Sequence, residues 1–216
     1  MTVPAIVAFK NPMRAKQRLA GVLNAEERAG VACTMLSHVL AALKEASEVD
    51  CVIVVGEGPE TAALCAYHGV TYLREPVNGG YNDAITFALH RYREKTANGV
   101  VVLASDLPLI AAREIDHLAR ACARGTVRIA VSRDGRGTNG LYLNPPDAIV
   151  PAFGEGSADR HCELTREGGI DAEMVRLPGL AFDLDTPSDL IDLHALQVAR
   201  QAGGLASVLH ASNESR

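Results

Sequence analysis

No apolar run in this 216-residue chain approaches the ~18 residues needed to cross a bilayer. The amino terminus also lacks a signal-peptide pattern, so a cytoplasmic protein is expected. Basic charge is not in excess: 21 Lys and Arg face 26 Asp and Glu, a formal net charge of −5. General nucleic-acid binding is disfavoured by that balance, although a single basic pocket could sit inside it. The five Cys (33, 51, 65, 122 and 162) are odd in number, scattered and never spaced Cys-x-x-Cys. A disulfide framework or structural zinc is therefore not expected, and a reducing compartment suits the chain. There is no His-Glu-x-x-His, no P-loop signature, no repeat and no linker. Trp is absent and aromatics reach only 4%, yet 48% of residues are hydrophobic and 22% charged, which is ordinary for one globular α/β unit.

What remains is alternation. Apolar β-rich runs at Val3–Phe9, Cys51–Val55, Val70–Leu73, Gly99–Ala104 and Val127–Ser132 are separated by helical patterns. The first helix opens at Asn24 with Glu27 completing a capping box, and Ala29, Ala32, Cys33, Leu36, Leu40 and Leu43 share one face. Further helices are expected over Pro59–Tyr67, Asn82–Arg93, Ala111–Ala123, Ser157–Glu167 and Pro187–Gln201. Gly-rich, charged residues from Arg133 to Gly140 read as a loop, with Asn139-Gly140 as a hairpin signal, before strands at Leu141–Leu143 and Glu173–Leu177. The pattern predicts a mostly parallel sheet with helices on both faces and one antiparallel excursion. One domain over 1–203 and a tail over 204–216 are expected.

Ligands of such sheets bind beyond the carboxyl ends of the strands. The strand ending at Ala104 delivers Asp106 there, where it could cap a turn or ligate a metal. Asp183-Leu184-Asp185 puts two carboxylates on one side of an extended segment, roughly 7 Å apart, a spacing that can grip Mg²⁺ while phosphates complete its shell. The plain alternative is support for the next helix, but Thr186 and Asp189 already supply a capping box there. The first strand leads into Lys10, Arg14, Lys16 and Arg18, four cations in nine residues, placed to clamp a triphosphate or simply solvated. Val55-Gly56-Glu57-Gly58-Pro59, with Glu75 about twenty residues on, imitates a dinucleotide fingerprint; Pro59 and Thr61 break it, so it reads as a turn. Gly154-Glu155-Gly156-Ser157 opens a helix whose free amides favour an anion, and His161 lies one turn inside, facing that pocket or merely packed.

Together these segments resemble the 2-phospho-L-lactate or phosphoenolpyruvate guanylyltransferases of coenzyme F-420 biosynthesis. The match is carried by Lys10, Ala15-Lys16-x-Arg18-Leu19, Asp106-Leu107-Pro108 and Gly137-Thr138-Asn139. It continues through Phe153-Gly154-x-Gly156-Ser157, Arg160-His161, Leu177-Pro178-Gly179-Leu180 and Asp183-x-Asp185-Thr186-Pro187. The resemblance implies a single Rossmann-like nucleotidyltransferase domain, with Asp106, Asp183 and Asp185 as Mg²⁺ ligands. It implies Thr138, Gly154 and Ser157 as contacts to the phosphorylated acid. Lys10, Lys16, Arg18, Gly80, Asn82 and Asp106 are carried over as nucleotide contacts, with Lys16 also counted among the catalytic groups. Gly79-Gly80-Tyr81-Asn82 stands where the family usually has Gly-Leu-Asn, which leaves the acid open among phosphoenolpyruvate, 2-phospho-L-lactate and 3-phosphoglycerate.

The implied reaction has a phosphate oxygen of the acid attacking the α-phosphorus of GTP, with pyrophosphate leaving. Its nucleophile is already anionic, so positioning and charge neutralisation suffice and no general base is needed. A downstream transferase would take the product, and a homodimer is left as an open expectation. Two rivals stand beside this reading. A molybdenum-cofactor or sugar-phosphate nucleotidyltransferase usually begins with a Gly-rich loop, which Lys10–Arg18 lacks. A catalytically silent nucleotide-binding module has no evident reason to carry all three Asp.

Overall fold

The computed structural model describes residues 2–76, 79–94, 99–120 and 125–198. The expected helix end at Ala123, the last residues of the closing helix up to Gln201 and the tail over 204–216 lie outside them.

Strand β1 (Val3–Phe9) is buried along its whole length, as a strand covered on both faces must be. Its period-2 alternation divides the core. Val3, Ala5, Val7 and Phe9 belong to one cluster with Leu36, Leu40 and Leu43 of α1 (Ala25–Glu45) and Ile115 and Leu118 of α4 (Ala112–Ala119). Ile6 and Ala8 belong to the other, with Ala84, Ile85 and Ala88 of α3 (Tyr81–Arg91) and Ala158 of α5 (Ser157–Glu167). The remaining strands are β2 (Val49–Gly56), β3 (Thr71–Arg74), β4 (Val100–Leu103), β5 (Thr126–Val131), β6 (Thr138–Asn144) and β7 (Asp171–Val175). Helix α2 (Pro59–His68) joins β2 to β3. The sheet order is β3-β2-β1-β4-β6-β5-β7, and β6 alone pairs antiparallel, with both β4 and β5. The mostly parallel sheet and its single excursion are as the sequence predicts.

The expected capping box of α1 is present: the Glu27 amide donates to Asn24 Oδ1 at 3.0 Å and the Asn24 amide to Glu27 Oε2 at 2.8 Å. A cap of this type contributes about 1 kcal/mol.

Two expectations need correction. Strand β6 begins at Thr138, so Thr138, Asn139 and Gly140 are ladder residues rather than loop. The reversal falls earlier, where the Gly135 amide donates to Ser132 O and the Gly137 amide to Ser132 Oγ. The Asn-Gly signal misleads because a strand flanked by apolar neighbours accepts a Gly wherever packing is tight. Strand β7 ends at Val175, and Pro178–Ala181 forms a short helix, α6, in place of the expected strand end at Leu177. Residues 187–198 form α7. Among the described residues, no helix is long and apolar enough to cross a membrane.

Candidate functional site

Because β6 runs backwards, its beginning lies at the same rim as the carboxyl ends of its neighbours. Gly140 sits opposite Leu103 of β4, Thr138 sits opposite Val131 of β5, and the Ala104 amide extends the ladder to Asn139 O at 2.9 Å. Asp106 follows β4 at that rim. A separate apolar pin brings the two chain regions together: Leu19 is fully buried with Met35 and Leu184, and this burial contributes about 2 kcal/mol. Residues near Leu19 and Leu184 are thereby held side by side.

Lys16 is the result. Its Nζ donates to Asp106 Oδ2 at 2.5 Å and to Asp185 Oδ1 at 2.7 Å, with only 8% of the side chain exposed. Burial pulls its pKa down, but Asp106 and Asp185 outweigh burial and leave it above the ordinary lysine value. Its backbone is left-handed, φ 53°, the only positive φ outside glycine among the described residues. That conformation costs on the order of 1 kcal/mol and is held by the two ion pairs and the Leu19 anchor. Asp183 accepts from Asn139 Nδ2 at 3.2 Å. Burial raises its pKa, and the charges of Asp106 and Asp185 add to the effect.

The capping alternatives fail at both Asp positions. Asp189 Oδ2 accepts from the amides of Asp185 and Thr186 and from the Thr186 hydroxyl, so α7 is capped without the carboxylates of Asp183 or Asp185. Asp106 is spent on Lys16, and α4 begins at Ala112. Hard carboxylate oxygens such as those of Asp106, Asp183 and Asp185 are of the type that suits a divalent cation such as Mg²⁺. Among the described residues no three His, Cys, Asp or Glu side chains converge to hold an ion as they stand. Asp106 and Asp185 lean on Lys16 while Asp183 leans on Asn139.

Beside this cluster lies a cavity of about 570 Å³. Of the expected residues it brings together Arg18, Thr138, Gly154, Ser157, Asp183 and Asp185. Gly154 (φ 129°) and Gly156 (φ 68°) shape the loop into α5 in backbone conformations that a side chain would strain. The expected free amides at that helix start are corrected: the Ser157 amide donates to Gly154 O and the Ala158 amide to Arg136 O. The anion reading rests instead on Ser157, which is 1% exposed and whose Oγ has no hydrogen-bond partner among the described residues. Arg133 and Arg136 also line the cavity and were not singled out from the sequence, although both sit in its charged Gly-rich turn. Arg133 pairs with Asp189 and Asp192 at 2.8 and 2.7 Å and stacks on Phe182.

Three expected nucleotide contacts lie apart from this cavity. Lys10 Nζ donates to Glu75 Oε2 at 2.6 Å and to Gly79 O at 2.8 Å, tying down the segment before α3. The Gly80 amide donates to Asp83 Oδ2. Asn82 is engaged twice with the Phe153 backbone, at 3.0 and 2.8 Å. The tandem-Gly turn before Pro59 carries no fingerprint, since Glu75 serves Lys10. The Tyr81 hydroxyl donates to Leu103 O at 3.4 Å and its ring packs edge-on against Phe153. Burial, with Asp106 nearby, keeps that phenol protonated well beyond the ordinary range. A larger cavity of about 780 Å³ lies by His38, Arg113, Glu114 and His117; it touches the Pro108 and Leu177–Gly179 segments but none of the expected site residues.

The same architecture occurs in a nucleotidyl transferase from Methanothermobacter thermautotroptrophicus, with a TM-score of 0.64 at 17% identity over 91% of this chain and 99% of that one. It also occurs in a protein of Desulfovibrio desulfuricans G20 described as a nucleotide-diphospho-sugar transferase, with a TM-score of 0.70 at 14% identity over 88% and 85%. The fold is that of the nucleotidyltransferases. Relatives narrow it further. A phosphoenolpyruvate guanylyltransferase of Sphaerobacter thermophilus is 39% identical over 193 residues, 89% of this chain and 93% of the relative. One of Conexibacter woesei is 36% identical over 206 residues, 94% and 92%. Residues 3–199 match the family described as guanylyl transferase CofC like, and the chain belongs to that family. It is a nucleotidyltransferase enzyme.

Proposed function

We propose that the protein transfers GMP from GTP to a three-carbon phosphorylated acid, releasing pyrophosphate, as a cytoplasmic step in coenzyme F-420 biosynthesis. The acid is phosphoenolpyruvate, 2-phospho-L-lactate or 3-phosphoglycerate, and a downstream transferase takes the product. The observation that carries this reading is the buried Ser157 hydroxyl, without a hydrogen-bond partner among the described residues, in an arginine-lined cavity that adjoins the Lys16–Asp106–Asp185 cluster. A buried donor left unpaired costs about 1–3 kcal/mol, a debt that an anionic ligand cancels.

In the proposed step a phosphate oxygen of the acid forms a bond to the α-phosphorus of GTP while the bond to pyrophosphate breaks. Thr138, Ser157 and the Gly154 loop hold the acid. Lys16 and Arg18 offset charge on the phosphates, and Asp106, Asp183 and Asp185 would hold Mg²⁺, which supplies further charge neutralisation when bound. No residue need remove a proton, since the attacking oxygen is already anionic near neutral pH.

The test is pyrophosphate release from each of four nucleoside triphosphates crossed with the three acids and glucose 1-phosphate. GTP with one or more acids should be active and glucose 1-phosphate essentially inert, because a neutral sugar leaves the acid's donors unpaired. Glucose 1-phosphate as best acceptor would overturn the assignment, and silence across the panel would favour a nucleotide-binding module.

A further inference from the structure

His161 is fully buried, one turn into α5, and the site described so far makes no use of it. Its two ring nitrogens have different partners. The Ala152 amide donates to Nε2 at 2.9 Å, so Nε2 must be the lone-pair nitrogen. The proton of the neutral ring is then on Nδ1, which lies 3.0 Å from Thr138 Oγ1 and can only donate to it. Phe153 closes over the ring edge-on at 5.2 Å and fixes its plane. Burial, reinforced by the nearby Arg160 charge, lowers the ring's pKa to about 4, which keeps it neutral.

The consequence falls on Thr138. Its oxygen is occupied as an acceptor by the Nδ1 proton, so its own hydroxyl hydrogen must point elsewhere. No acceptor for that hydrogen is found among the described residues, and Thr138 lines the cavity that holds Ser157. The geometry points to His161 as a positioning residue that locks the Thr138 hydroxyl as a hydrogen-bond donor toward the acid. Thr138 and Ser157 then present two buried hydroxyl donors to one anionic ligand, and a rotatable hydroxyl becomes a fixed one. A fixed donor selects for a ligand oxygen carrying charge and against a ligand group that itself needs an acceptor. This assignment rests on the acid-binding reading of the cavity, but its first test does not.

The tautomer is read directly by ¹⁵N-labelled histidine NMR of the unliganded protein, whatever reaction it catalyses. His161 should show a protonated Nδ1 and a bare Nε2 at neutral pH; the opposite tautomer, or a charged ring, would overturn the assignment. The second test is kinetic. Asn at 161 places an amide N–H near the Nδ1 position, whereas Gln places its polar end near Nε2. His161→Gln should raise the acid KM by about 10-fold or more, the loss of one hydrogen bond to a charged group, and leave the GTP KM within about 2-fold. His161→Asn should recover most of that loss. Thr138→Val should equal His161→Gln, and the double variant should be no worse than either, since both remove the same donor. Additive losses, or equal rises in both KM values, would reduce His161 to a packing residue and overturn the proposal. Circular dichroism on each variant separates these outcomes from unfolding. If no acid supports turnover while the tautomer is as described, the reaction assignment fails and the His161–Thr138 geometry stands.

Discussion

Lys16 behaves as an internal counter-ion. It neutralises Asp106 and Asp185 from a left-handed backbone position and is almost completely covered. Removing its charge leaves carboxylates facing each other, so Lys16→Met should lower stability in EDTA by on the order of 2 kcal/mol, below the full cost of breaking a buried pair because Asp185 is 39% exposed. Mg²⁺ should then raise the melting temperature of the variant more than that of the parent, since the freed carboxylates accept the ion in place of the ammonium. Thermal unfolding with and without Mg²⁺ measures both, and identical curves for variant and parent would show that the ion pairs carry no energy. At this scale the sequence was informative about chemistry and silent about partnership. Position after a strand or before a helix singles out Asp106, Asp183, Asp185 and Lys16, but nothing in the spacing says that the lysine lies between two of the aspartates. Lys10 shows the same limit: its place after the first strand suits a triphosphate clamp or a solvated loop, and neither reading names Glu75 and Gly79 O, to which its Nζ donates.

The short helix α6 is the element that aims the extended segment carrying Asp183. The Gly179 amide donates to the buried Glu114 Oε1 of α4 at 2.8 Å, and Asn139 Nδ2 donates to Leu180 O at 2.9 Å. Gly179 packs so tightly there that a Cβ would meet the Leu109 carbonyl oxygen and the Glu114 carboxylate, and the carbonyl is main chain that cannot swing away. Gly179→Ala should therefore cost about 1–3 kcal/mol, the range for forced overpacking, and should displace Asp183 as well. Denaturant melts give the first effect; pyrophosphate release at saturating substrates gives the second, with kcat falling more than stability alone explains. Wild-type stability and turnover would show that α6 is free to shift. Element by element, β1 and α5 match the sequence reading because continuous burial and a Gly–Ser start are local signals. The start of β6 does not, since Thr138, Asn139 and Gly140 look like a turn until β4 and β5 are placed on either side. Helix α6 was invisible for a related reason: four residues carry no periodicity.

For the whole molecule, burial of a neutral imidazole ties folding to pH. His161 binds a proton near pH 4 when folded and near 6.5 when unfolded, so between those values the unfolded chain carries the extra proton. Its contribution is fully present above about pH 6.5 and is lost as pH falls toward 4, up to about 3 kcal/mol in all. Asp183, with its pKa raised by burial, works in the opposite direction, so the histidine part is read as the difference between parent and His161→Asn. Urea melts across that range should show a shallower pH slope in the variant; parallel slopes would mean that His161 exchanges protons equally in both states. The sheet order was beyond the sequence, because strand neighbours are chosen by packing and not by adjacency in the chain. One consequence of the Lys16–Asp185 pair concerns time. It closes a loop of 169 residues, and Lys16–Asp106 one of 90. During synthesis β1, β2 and α1 can settle while most of the chain is still unmade, yet Lys16 must wait for Asp185 before its second partner exists. Loop closure over such separations is entropically costly and slow, so a ribosome stalled before residue 185 should carry a sheet that is already settling while Lys16 has Asp106 but not Asp185 to pair with.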